Sequence, residues 1–201
     1  MGIEVRCRVV IDGERSERKV LLETEEVLVA GTPRVKIPFR DVSSIDVEPN
    51  ALTIRWGGRE AHLSVGSGAA AWAEKIRNPK PLTAKLGIRS GQRITVLGKV
   101  DEGFLTSIEA LGADLSRHTR TATDLLFFAA DRRSDLDRLD ELKSTLTSAG
   151  AIWILRPKGG SAITESDVMQ AARRAGLVDV KVARFSESHA AEKLVIPKAQ
   201  R

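Results

Sequence analysis

The chain of 201 residues carries 32 Lys and Arg against 27 Asp and Glu, a formal charge of +5, with 42% hydrophobic and 4% aromatic residues. That length suits one large domain or two small ones, and no stretch approaches the ~20 apolar residues of a membrane-spanning helix. A single cysteine, Cys7, excludes an intrachain disulfide and a cysteine-based zinc site, and the scarcity of aromatic rings argues against a nucleic-acid surface. Residues 1–79 balance 12 basic against 12 acidic side chains, so the whole excess falls in residues 80–201. The opening residues alternate charged and apolar types instead of forming an apolar run, so a cytoplasmic chain without a signal peptide is expected.

The first strand is predicted from strict alternation. Ile3, Val5, Cys7, Val9 and Ile11 point one way, and Glu4, Arg6 and Arg8 the other. Asp12-Gly13 begins a turn. Short strands follow over 19–23, 26–29, 35–39, 44–48, 52–56 and 61–65, separated by Gly31-Thr32-Pro33, Pro49-Asn50 and Gly57-Gly58. So many short strands with such punctuation predict a small barrel or sandwich. A helix over 67–77 comes next. Ala69, Trp72, Ala73 and Ile76 share one face, and Trp72 is expected to plug the barrel's open end.

This run of seven strands and a capping helix resembles the pleckstrin-homology-like barrel, including its bacterial members. KIPFRDVSSIDV followed by ALTIRW is similar to the middle of such domains. The resemblance implies a binding role for residues 1–79. Glu14 and Glu17 lie among Arg15, Arg18 and Lys19 and cancel most of the field a phosphoinositide would need, so docking, on the second domain or on a protein partner, is the expected role.

Asn78-Pro79-Lys80-Pro81 marks the boundary, because each proline biases the residue before it to an extended backbone. A second domain is expected over 82–201. A helical turn over 82–86 ends at Gly87, a strand runs over 93–97, and a helix over 102–111 closes at Gly112. The polar residues 113–122 have room for one very short strand near Leu115. Then comes a strand–helix–strand unit: an apolar strand over 124–130, a helix and an apolar strand over 151–156. Strands this apolar are expected to be parallel and covered on both faces. Ser134 is the predicted N-cap of that helix, with Asp137 three residues on. Leu136, Leu139, Leu142 and Leu146 form its buried stripe, and Gly150 makes the turn out of it. Thr164 caps the next helix with Asp167 at its third position. Strands over 178–185 and 193–197 form a closing hairpin, with residues 186–192 as its loop.

A mostly parallel sheet ending in an antiparallel hairpin resembles a reduced class I methyltransferase-like, Rossmann-like α/β sandwich. The nearer resemblance is to an uncharacterised bacterial family of unknown function. KLGIRSGQRITVLG at 85–98, the Pro157-Lys158-Gly159 turn and AGLVDVKV at 175–182 carry it, over roughly residues 82–198. That family brings no activity with it.

Ligands of open α/β sheets sit beyond the carboxyl ends of the strands. There the sequence delivers Gly98 and Lys99, then Asp131, then Lys158, Gly159 and Ser161, then His189, and these are the candidate binding residues. Lys158-Gly159-Gly160-Ser161 follows a buried strand and suits a small anion, but its spacing is not that of a Walker loop. A methyltransferase of this fold wants glycines recurring after its first strand and an acid after its second. Here Lys99 and Val100 follow Gly98, only 25 residues separate Gly98 from Asp124, and Asp114 is the one acidic candidate. The span lacks one strand–helix unit. The expected function is therefore non-catalytic: a cytoplasmic binding or regulatory protein using this cleft for a protein partner or small anion. S-adenosylmethionine-dependent methyl transfer, or another small-molecule reaction, is the alternative. No catalytic residue, metal site or cofactor is assigned. No G-x-S-x-G is present, and the three histidines lack metal-ligand spacing.

Overall fold

The structure is a computed structural model that describes residues 3–160 and 162–200. The chain divides into two compact units, one ending at Lys80 and the other beginning at Pro81.

The first unit runs β1 (Ile3–Ile11), β2 (Glu14–Leu22), β3 (Glu26–Val29), β4 (Val35–Pro38), β5 (Val42–Glu48), β6 (Ala51–Trp56), β7 (Arg59–Leu63) and α1 (Ala69–Arg77). Its antiparallel sheet has the order β4-β3-β2-β1-β7-β6-β5. The expected barrel is a near-barrel, since β4 and β5 end the sheet and do not pair. Pro38 closes β4 without an N–H to donate, and a 3-10 turn over Phe39–Asp41 carries the chain onward. One core joins Val9, Val20, Val27, Ile37, Leu52 and Ile54 to Trp72 and Ile76 of α1, so Trp72 is a core residue. Cys7 is buried in the same core, and burial raises its thiol pKa.

The second unit runs α2 (Leu82–Leu86), β8 (Arg93–Leu97), α3 (Glu102–Ala110), β9 (Asp114–Ser116), β10 (Thr123–Ala129), α4 (Leu139–Ser144), β11 (Leu146–Pro157), α5 (Glu165–Arg174), β12 (Val178–Arg184) and β13 (His189–Val195). The sheet order is β12-β13-β11-β10-β8-β9. Strands β9, β8, β10 and β11 are parallel; β13 is antiparallel to both β11 and β12, between which it lies. Alternate residues of each central strand feed opposite faces. Leu126, Phe128, Ile152 and Ile154 meet Leu139 and Leu142 of α4 and Val168 and Ala172 of α5. Leu125, Phe127, Trp153 and Leu155 meet Leu86 of α2 and Phe104 and Ile108 of α3. Two covered faces explain why these strands read as unbroken apolar runs. The Trp153 indole N–H donates to the Leu86 carbonyl at 3.0 Å, so the one polar atom of a buried ring is satisfied.

The helix of the central unit differs from expectation. A 3-10 segment over Arg133–Arg138 precedes the short α4, and Ser134 is not its cap. Asp135 does that work, its carboxylate accepting from the Asp131 and Arg132 N–H groups at 2.9 and 3.0 Å. Leu146 is the first residue of β11, half-buried against the core, and Gly150 lies inside that strand. Gly150 is required by close approach rather than by a turn, since a Cβ there would lie 2.8 Å from the Thr123 carbonyl oxygen. The hairpin loop is also shorter than expected, because β13 begins at His189.

Helix α5 begins as its sequence implies. The Thr164 hydroxyl accepts from the Asp167 N–H at 3.2 Å, and the Asp167 carboxylate accepts from the Thr164 N–H at 2.9 Å. Thr164→Ala should therefore cost about 1 kcal/mol in urea unfolding. The hydrogen bonds from Thr164, with Arg133 beside them, hold the Asp167 carboxyl below its ordinary pKa. Its contribution is present above the usual aspartate range and is lost as pH falls through the lowered value, so the variant should lose part of the acid limb of the stability profile. An unchanged limb would assign it to other carboxylates.

Candidate functional site

The order of the parallel strands reverses between β8 and β10, with α3 on one face and α4 on the other. Loops leaving these two strands must therefore diverge and open a crevice. Gly98 makes the first divergence. Its φ is +86°, and an added Cβ would lie 2.9 Å from the Ala129 Cβ and 3.0 Å from the Ala129 carbonyl oxygen. The two loops thus touch at their roots before separating. Asp101 ends the first loop by capping α3, its carboxylate accepting from the Phe104 N–H at 3.2 Å.

The crevice is a cleft of about 820 Å³. Phe104, Phe185, Leu155 and Ala129 supply its apolar lining, and the Phe104 ring meets Phe185 edge to face at 4.9 Å. Lys99, Asp101, Asp131 and His189 supply ionisable groups. His189 is half-buried as the first residue of β13. Its Nδ1 lies 2.9 Å from the Ser188 hydroxyl, which is 3.3 Å from that of Ser186, so three polar side chains adjoin along this wall.

The sequence candidates separate into two groups. Lys99, Asp131 and His189 line the cleft together, and Gly98 shapes its root. Lys158 and Gly159 are not among the residues lining it. The Lys158 ammonium donates to the Ser186 carbonyl at 2.6 Å, and its N–H to the Ser188 carbonyl at 2.8 Å, so it secures the hairpin turn. Ser161 lies outside the described residues. Sequence reasoning missed Asp101, Phe104 and Phe185. Asp101 three residues before Phe104 was a capping signal, whereas the two phenylalanines read as ordinary core.

Beside the cleft, the sheet ends at β9. Asp114 does lie in a strand, but at the amino end of β9, paired with Arg93 of β8 in register and with Arg120 by a 2.7 Å ion pair. Past the carboxyl end of β9 stands Arg117, whose guanidinium donates to the Gly98 carbonyl at 2.9 Å. Arg120 donates to the Ile94 carbonyl at 3.2 Å and to the Asp114 carbonyl. Two arginines thus bind backbone carbonyls of β8, of β9 and of the loop after β8. Among the described residues no cluster of three His, Cys, Asp or Glu could hold a metal, and no helix is long and apolar enough to cross a membrane.

A family model described as a protein of unknown function, DUF3052, matches residues 83–198. The chain belongs to this family. The match covers the whole of the sheet that carries the cleft and brings no reaction with it. No curated protein matches the sequence. Among solved structures, the chain is similar to a TehB-like SAM-dependent methyltransferase from Corynebacterium glutamicum, at 13% identity and TM-score 0.45 over 64% of this chain and 96% of that one. It is similar to a SAM-dependent methyltransferase from Aquifex aeolicus, at 13% and 0.47 over 62% and 93%. It is similar also to a putative methyltransferase from Thermoplasma acidophilum, at 8% and 0.45 over 90% and 97%. At such values no shared chemistry follows.

Proposed function

We propose that this protein is a non-catalytic, cytoplasmic binding protein of two domains, residues 1–79 and 82–201, and that the cleft between the β8 and β10 loops takes a small organic ligand. The observation that carries this reading is the cleft itself: an apolar-lined hollow at the strand-order reversal, with ionisable groups around it. The first domain is a pleckstrin-homology-like barrel whose role is protein docking. Its strand sequence and helix-filled core support this, as does the interleaving of Glu14 and Glu17 with its hairpin cations.

S-adenosylmethionine-dependent methyl transfer is the second reading, and the reduced methyltransferase-like order of the sheet favours it by analogy of fold. Three features weigh against it. Lys99 and Val100 stand where glycines should recur, Asp114 is at the wrong end of β9, and the Arg117 cation occupies the place of a ribose-binding acid.

A thermal-shift screen of the full chain against small metabolites tests the binding reading. A ligand at about 100 times its dissociation constant adds about 2.7 kcal/mol, a visible shift. Ser107→Trp, which puts an indole into the cleft from α3, should abolish the shift without lowering the unliganded melting temperature. A shift that survives Ser107→Trp would place the ligand elsewhere.

A further inference from the structure

The charges at this cleft are of both signs. Lys99 follows β8 and Asp131 follows β10, on loops rooted in contact at Gly98 and Ala129. Both side chains are exposed, and among the described residues neither makes an ion pair or a side-chain hydrogen bond. The neighbouring Asp101 carboxylate is engaged in capping α3. Two opposite charges therefore face one hollow and leave each other unpaired, with the edge-to-face pair of Phe104 and Phe185 in the wall. A ligand with one charge would satisfy one loop and leave the other to water. A ligand with an ammonium and a carboxylate on one carbon, joined to an apolar body, offers a partner to each loop and covers the rings.

We infer that the cleft takes a zwitterion of the α-amino-acid class with a large apolar side chain, its carboxylate at Lys99 and its ammonium at Asp131. The inference rests on the cleft-binding reading above. The volume of about 820 Å³ admits the largest aromatic side chain together with water. Charge-assisted hydrogen bonds to the two loops supply the selectivity.

Isothermal titration into the full chain tests it, with L-phenylalanine, L-tryptophan, L-leucine and L-methionine as ligands. Phenethylamine and hydrocinnamate serve as the partners that lack one charge. At least one amino acid should bind, and each one-charge analogue should bind at least about tenfold more weakly than the corresponding amino acid. Lys99→Met should erase the preference over phenethylamine and keep that over hydrocinnamate, and Asp131→Asn should do the reverse. Both side chains are exposed, so both variants should keep the wild-type melting temperature. Equal affinity for an amino acid and its one-charge analogue overturns the inference. So does failure of all four amino acids while some other compound gives stabilisation sensitive to Ser107→Trp, a result that leaves the cleft-binding reading standing. Stabilising ligands that are all indifferent to Ser107→Trp overturn both.

Discussion

Gly98→Ala is expected to destabilise the α/β unit by about 3 kcal/mol in urea unfolding of the full chain. Two penalties combine. A side chain at φ +86° occupies the left-handed region, at roughly 1–2 kcal/mol. The new methyl also has no room, because its position is 2.9 Å from the Ala129 Cβ and 3.0 Å from a backbone oxygen. Relieving that contact must spread the ends of β8 and β10, and overpacking of this kind adds roughly 1–3 kcal/mol. Gly159→Ala separates the two, since Gly159 has φ +68° with nothing within 4 Å of an added Cβ, and should cost only about 1 kcal/mol. The same spreading moves the root of the Lys99 loop, so ligand-induced stabilisation should fall in Gly98→Ala and persist in Gly159→Ala. Equal losses of stability in the two variants would remove close approach as the reason for Gly98.

Arg156→Ala is expected to cost about 3 kcal/mol at neutral pH, the usual order for leaving a buried charge unpaired. Glu192 is 3% exposed and the Arg156 side chain 12%. The Arg156 Nε–H donates to one Glu192 oxygen at 2.6 Å, while the other oxygen is buried without a partner. Arg156 also lies 3.7 Å from Glu165 at the start of α5, so the ion group ties β11, β13 and α5 together. Burial pushes the Glu192 carboxyl above the usual glutamate pKa, and its hydrogen bond and charge attraction to Arg156 pull it only partway back. The sign of the pH effect follows. A carboxyl with a raised folded pKa binds its proton more tightly folded than unfolded. Its contribution is fully present below the unfolded value and is lost as pH rises through the folded one. Arg156→Ala removes the opposing pull, so its deficit should shrink on acidification toward the ordinary glutamate range. Replacing both partners by apolar residues, Arg156→Met with Glu192→Leu, should be nearly neutral. A single-variant deficit below about 0.5 kcal/mol would mean that water reaches Glu192.

Much of the fold was legible because its signals are local and periodic. The alternation from Ile3 to Ile11, the Arg93–Leu97 run and the Thr164 and Asp167 cap each appear in the structure where the sequence places them. The central helix is shorter than its sequence implies because the leucine spacing continues through Leu146, although the chain has already extended there to pair Leu146 with Thr123. Periodicity cannot distinguish the last turn of a helix from the first residue of a strand that buries the same side chain. Of the site, the residues at strand ends were legible from topology alone, which brought Lys99, Asp131 and His189 together. Lys158 misled because a lysine beside glycines reads as an anion loop, whereas its ammonium is consumed by hairpin carbonyls. Phe104 and Phe185 were hidden because a phenylalanine lining a cleft follows the same pattern as one filling a core. Arg117 was hidden because its role depends on a carbonyl 19 residues away.

Titration of S-adenosylmethionine into the full chain, followed by calorimetry and by transfer of a labelled methyl group, is the most direct measurement. With Arg117 drawn to the Gly98 carbonyl and no acid past β9, we expect no methyl transfer and no binding tighter than that of L-methionine. Saturable binding tighter than that of L-methionine, or methyl transfer abolished by a substitution in the Gly98–Asp101 loop, would contradict a cleft built to bind without a nucleoside.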